Sequence, residues 1–149
     1  MRIKRFEFNM FPVNCYILSD ETKEAVIIDA GCFYEEEKQA LKKYIDDNGL
    51  NVKHLLNTHL HLDHIFGNPF LLKEYGLKAE ANQADEFWLN QADAQARMFG
   101  FQLPEPPVPL GKYVCDGSRG AVIKAFLSLD SGFARENTYN SPGERGKRI

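Results

Sequence analysis

Apolar and polar side chains alternate at the start of the chain, with Phe6, Phe8 and Met10 on one side and Arg5, Glu7 and Asn9 on the other. A period of two predicts a half-buried strand, and Pro12 ends it. Cys15 to Leu18 and Ala25 to Asp29 are short apolar runs on either side of the polar turn Ser19-Asp20-Glu21-Thr22-Lys23-Glu24, so the expected opening is antiparallel. The period then changes. Ala40, Leu41, Tyr44 and Ile45 fall at helical spacing within about Tyr34 to Asn48, with Glu35 to Glu37 at the positive end of the dipole and Lys42 and Lys43 toward the negative end. Gly49 supplies the stop.

Val52 to Asn57 reads as a buried strand that leads into a histidine cluster, and a second helix is expected from about His64 to Tyr75, ended by Gly76. Lys78 to Ala81 is a brief strand. Gln83 to Phe99 then reads as one helix with Trp88, Ala92, Ala96 and Phe99 along a stripe, closed by Gly100. Leu103-Pro104-Glu105-Pro106-Pro107-Val108-Pro109 excludes helix and predicts a stiff polyproline II connection. Tyr113 to Cys115 is expected to enter a hairpin at Asp116-Gly117; Ala121 to Leu129 suits strand or helix, and Ser131 to Ile149 is expected to be disordered. Alternating strands and helices predict an α/β or α+β sandwich, and no internal repeat is visible.

A length of 149 residues fits one domain, and 44% hydrophobic content excludes a disordered chain. No apolar run approaches the roughly 18 to 20 residues of a membrane span. Glu7 and Asn9 interrupt the place where a secretion signal would need its apolar stretch, so a cytoplasmic location is expected. Cys15, Cys32 and Cys115 are odd in number and widely spaced, which predicts buried reduced thiols rather than a disulfide framework. Residues 1–117 carry 12 basic and 18 acidic side chains, whereas residues 118–149 carry six and three. An acidic body, with the basic residues clustered in the tail, disfavours nucleic acid as a partner.

The chemistry is concentrated in one place. All four histidines, His54, His59, His61 and His64, fall within eleven residues. In Thr58-His59-Leu60-His61-Leu62-Asp63-His64, a helix would set His59 and His61 about 200° apart, whereas an extended chain sets both on one face. Extended backbone would project His59, His61 and Asp63 one way and Leu60 and Leu62 the other, into the core, with His64 opening the next helix. Imidazole and carboxylate without thiolate are donors suited to zinc, with iron or manganese as alternatives. His54, five residues upstream, is assigned a packing or surface role. Asp29 reads equally well as a group that orients a ligand histidine or as a strand-end turn former.

The motif H-x-H-x-D-H at Thr58 to His64, together with Asn14-Cys15-Tyr16-Ile17-Leu18 and Ala25-Val26-Ile27-Ile28-Asp29-Ala30-Gly31, resembles the metallo-β-lactamase superfamily. Within it the chain is similar to small hydrolases of the glyoxalase II type, over about Met1 to Gly117. The resemblance implies an αββα sandwich of which only the N-terminal half is complete. It implies His59 and His61 as ligands of a first metal and Asp63 and His64 as ligands of a second, with Asp63 also at the catalytic centre. It implies too a metal-bound hydroxide as nucleophile toward a thioester or related ester, chemistry a divalent ion supports by lowering the pKa of water from 15.7 toward about 7.

The chain departs from that family after its middle. No histidine follows His64, the aspartates in Asp116-Gly117 and Leu129-Asp130-Ser131-Gly132 lack the family context, and Asn140-Ser141-Pro142-Gly143 reads as an ordinary turn. A truncated or frame-shifted tail from residue 118 and simple divergence are the two explanations, the first of which predicts exposed apolar surface and self-association. Two alternatives to a hydrolase stay open: a mononuclear iron relative that oxidises sulfur compounds, and a non-catalytic remnant with a partial metal site. β-Lactam hydrolysis is disfavoured by the lack of a secretion signal.

Overall fold

The computed structural model describes residues 1–114, and all of its elements belong to one unit, Met1–Tyr113. The expectations for Cys115, Asp116-Gly117, Ala121 to Leu129, Ser131 to Ile149 and the Asn140 turn lie outside the described residues. Six strands form one sheet in the order of the chain: β1 (Arg2–Phe8), β2 (Val13–Ser19), β3 (Glu24–Ile28), β4 (Asn51–Leu56), β5 (Ala79–Ala81) and β6 (Lys112–Tyr113). The first three are antiparallel, as expected, and β3 to β6 run parallel. Parallel neighbours need crossovers. These are α1 (Glu35–Asp47), then α2 (Leu62–Ile65) with α3 (Asn68–Tyr75), then a 3-10 helix (Gln83–Gln91) with α4 (Ala92–Met98).

All seven residues of β2 are buried. Cys15 and Ile17 share a core with Ile27 and Leu55 of the neighbouring strands and with Leu41 and Ile45 of α1 and Phe70 and Leu71 of α3. Burying a leucine or isoleucine of this kind contributes about 1.5 to 3 kcal/mol. Tyr16, Leu18, Val26, Ile28 and Leu56 alternate with that set and are buried as well. Burial on both faces is what the inner layer of a layered α/β fold requires.

Three expected boundaries move, each for a local reason. β1 begins at Arg2 and stops at Phe8 rather than reaching Met10, because Asn9 takes φ 60°, a left-handed conformation that no strand continues. The helix expected from His64 to Tyr75 is two helices that meet at Phe66 and Gly67. Gly67 donates its N–H to the Ala30 carbonyl at 2.7 Å, and a Cβ at this position would collide with that oxygen and with Cys32 Sγ. Gln83–Gln91 is 3-10 rather than α. None of its residues is fully buried, and Asp85, Phe87, Trp88 and Asn90 are weak helix formers, so partial packing and low propensity leave a wider helix without support there. Trp88, Ala92 and Ala96 do pack on Leu60, Leu62 and Ile65. Phe99, placed on the same stripe from sequence, is 58% exposed, and its ring meets Phe11.

Candidate metal centre

Ile28 of β3 and Leu56 of β4 are register partners, so the two strands end side by side and deliver Asp29 and Thr58 to the same edge of the sheet. Asp29 has φ 57° and no exposed surface. Its Oδ1 accepts from the Thr58 N–H at 2.9 Å and from Asn57 Nδ2 at 3.2 Å, and its Oδ2 accepts from Thr58 Oγ1 at 2.7 Å. His64 Nδ1 lies 3.1 Å from the same Oδ2. Burial pushes the Asp29 carboxyl up, but the facing His64 charge and these hydrogen bonds outweigh it and hold the carboxyl below the usual aspartate range. Burial opposes the charged form of His64, and Asp29 more than offsets it, so the His64 pKa is raised. His59 moves the other way, lowered by burial and then by the nearby His64 charge.

Hydrogen-bond accounting orients the rings. Ionised Asp29 is acceptor-only, so it takes the one hydroxyl hydrogen of Thr58. The Thr58 oxygen is then left to accept from His59 Nδ1, 3.1 Å away. With Nδ1 of His59 turned to Thr58 and Nδ1 of His64 turned to Asp29, the Nε2 atoms are the donors left for a ligand. A metal-binding histidine held by its second nitrogen on a carboxylate is the usual supporting arrangement. The rings are close: His59 to His64 at 3.9 Å and His59 to His61 at 4.7 Å between centroids. His61 stands edge-on to Trp88 at 4.6 Å.

Asp63 reaches this group by a different route from the one expected. The extended run stops at His61, and Asp63 lies in the first turn of α2 with Oδ2 3.8 Å from His64 Nε2. Leu60 and Leu62 are both buried in the small core, as the alternation predicts. His54 stays apart on β4, its Nδ1 2.7 Å from Glu80 Oε2 on β5. Gln95 and Asn9 were not visible as site residues in the sequence. Gln95 Oε1 accepts the Leu62 N–H at 3.0 Å and Asn9 Nδ2 donates to the Asp63 carbonyl at 3.0 Å. Their sequence separations from the motif, 33 and 54 residues, leave no local signal for them.

Donor chemistry and ring support fit a divalent metal. Among the described residues, however, no group of three His, Cys, Asp or Glu side chains is arranged to hold one ion. Neither described cysteine competes as a nucleophile: both are free and buried, and burial raises Cys15 well above the ordinary thiol value and Cys32 to about 12.

A family model described as Metallo-beta-lactamase superfamily matches residues 9–128. The chain belongs to this superfamily. The match runs past Gly117, where the resemblance read from the motifs ended. Hydroxyacylglutathione hydrolase GloC of Haemophilus influenzae is 35% identical over 101 residues, covering 67% of this chain and 46% of that protein. An uncharacterized protein of Mycobacterium leprae, ML0493, is 31% identical over 145 residues, 96% of this chain and 63% of its own length. The chain thus spans about half to two thirds of the length of these curated relatives. Among solved structures, TTHA1623 in a di-iron-bound form aligns with TM-score 0.64 and 26% identity over 78% of this chain and 56% of the other. Among the described residues no helix is long and apolar enough to cross a membrane.

Proposed function

We propose that the chain carries the metal-binding half-site of a glyoxalase II-like hydrolase that acts on a thioester or a related ester. The observation that carries this reading is the grouping of two imidazoles, His59 with Nδ1 3.1 Å from Thr58 Oγ1 and His64 with Nδ1 3.1 Å from Asp29 Oδ2, beside His61 and Asp63. In this reading His59 and His61 hold one ion and Asp63 and His64 a second. Similarity to hydroxyacylglutathione hydrolase GloC supports a thioester as the substrate class. Zinc suits these donors, and the di-iron-bound neighbour supports iron as the alternative.

The bound metal would activate a water molecule and polarise the acyl carbonyl. The chain's own residues do the rest. Asp29 and Thr58 fix the ring orientations of His64 and His59, which keeps their Nε2 lone pairs turned toward the site. Trp88, edge-on to His61, forms an apolar wall beside it. The free, buried Cys15 and Cys32 support a reducing, cytoplasmic setting.

The reading is tested by loading the 149-residue chain with Zn2+ or Fe2+ and measuring metal content and thiol release from hydroxyacylglutathione. Bound metal is expected, with His59→Ala and Asp63→Ala each weakening it by more than the roughly 10- to 100-fold typical of residues that only orient a ligand. Metal content unchanged in both variants overturns the ligand assignment. Metal bound with no thiol released would leave a metal-holding, non-catalytic domain.

A further inference from the structure

The turn between β1 and β2 reaches the centre through one side chain, and the hydrogen bonds around it are complete. Asn9 Nδ2 donates to the Gly31 carbonyl at 2.8 Å and to the Asp63 carbonyl at 3.0 Å. Asn9 Oδ1 accepts the Phe11 N–H at 2.8 Å, closing the turn on itself. The Asn9 N–H goes to Glu37 Oε2 at 2.7 Å, and Glu37 Oε1 takes the N–H groups of Phe33 and Tyr34 at 2.9 and 3.2 Å. One asparagine and one glutamate thereby lock the turn, the loop after β3 and the start of α1 into a single frame.

That frame bears on α2. A helix of four residues cannot set its own orientation. In a continued helix the Gly67 N–H would serve the Asp63 carbonyl, but it donates to Ala30 instead. Asn9 supplies the donor. A second, independent feature shows that the approach is required: a Cβ on Gly31 would stand 2.6 Å from the Asp63 oxygen and 2.8 Å from Asn9 Nδ2. Only glycine leaves room for the contact.

We infer that Asn9 is a positioning residue for Asp63, acting through the Asp63 main-chain carbonyl to aim its carboxylate beside His64. The inference rests on the reading of Asp63 as a metal ligand. Rotating the peptide of Asp63 would swing its carboxylate away from His64: Gln95 holds α2 at the Leu62 N–H and Asn57 at the His64 carbonyl, and Asn9 holds the Asp63 carbonyl between them.

Co2+ titration of the full 149-residue chain, followed by visible absorption and chelator competition, tests the inference. Asn9→Gly keeps the left-handed backbone without strain and deletes only the amide. It is expected to bind Co2+ at least about fivefold more weakly, with altered band intensities and an unchanged far-ultraviolet dichroism spectrum, because the bond to the Asp63 carbonyl is lost together with those to Gly31 and Phe11. Asn9→Asp, which sets a carboxylate oxygen against two carbonyls, is expected to lose more. Asn82→Ala removes a comparable side-chain cap from the 3-10 helix and should leave Co2+ binding as it was, separating positioning from general stability. Wild-type affinity and spectrum in Asn9→Gly, while Asp63→Asn has lost both, overturn the inference and leave the ligand reading intact. Wild-type behaviour in Asp63→Asn overturns the ligand reading, and the inference with it.

Discussion

His54–Glu80 and His64–Asp29 are both histidine–carboxylate pairs, and their surroundings make them different devices. His54 and Glu80 sit on adjacent strands β4 and β5, 2.7 Å apart, with side chains 24% and 7% exposed. His64 and Asp29 lie where β3 and β4 end, 3.1 Å apart, 10% and 0% exposed. The shorter contact is the less consequential one. Asp29 also holds Thr58 and Asn57, and Asn57 Nδ2 in turn donates to the His64 carbonyl at 2.9 Å while its Oδ1 accepts from Asn68. The carboxylate at the strand end therefore organises both the backbone and the rings of the motif. A short distance measures a pair; the number of elements it ties together measures its role.

The largest test of this contrast is Asp29→Ala. Removing one member of a buried pair leaves an uncompensated charge, so a loss of about 3 to 5 kcal/mol in urea unfolding is expected, together with loss of bound metal. A variant that keeps wild-type stability and metal content would reduce Asp29 to a turn former.

The pH dependence of the metal-free chain sharpens the contrast further. His64 has a raised pKa, so its contribution is complete below the ordinary histidine value near 6.5 and is lost as pH rises through the raised value. Asp29 has a lowered pKa, so its contribution is complete above the ordinary aspartate value near 3.9 and is lost as pH falls through the lowered value. Unfolding midpoints taken from about pH 3 to about pH 9 should therefore crest between these limits. The crest should flatten in Asp29→Ala; an unaltered profile would show that the pair does not titrate with folding.

The smallest effect belongs to the other pair. Glu80→Gln keeps the shape and a hydrogen-bonding group, so it should cost about 1 kcal/mol or less and leave metal binding at the wild-type level. A marked fall in metal affinity would place His54 and Glu80 in the centre after all.

Much of the site was legible before the fold was known, because spacing alone separates extended from helical backbone. His59 and His61, two apart, had to share a face outside a helix, and Leu60 had to turn inward. Asp63 joined them through the first turn of α2, since that helix begins at Leu62, and the alternation could not anticipate its onset. Asp29 was readable only as an ambiguity. Its partner Thr58 lies 29 residues away, and nothing in either local pattern states that β3 and β4 pair in parallel. Asn9 reads in sequence only as a polar position of the first strand, and its contact with Asp63, 54 residues away, could not be inferred from that. The helix read over Gln83 to Phe99 failed for an energetic reason: its stripe was half right, but the first nine residues bury no side chain fully, and Trp88 and Leu89 pack on the small core only in part.

By itself the amino-acid order determined the donor types, their spacing, the antiparallel opening and the inward face of each strand, all of which follow from steric periodicity within a few residues. Tertiary structure alone decided which carboxylate steadies which imidazole, which glycine leaves room for the Asp63 carbonyl, and which asparagine reaches it. Those choices depend on segments brought together by strand pairing and helix packing, and a hydrogen bond across 29 or 54 residues leaves no mark on the local pattern of either partner.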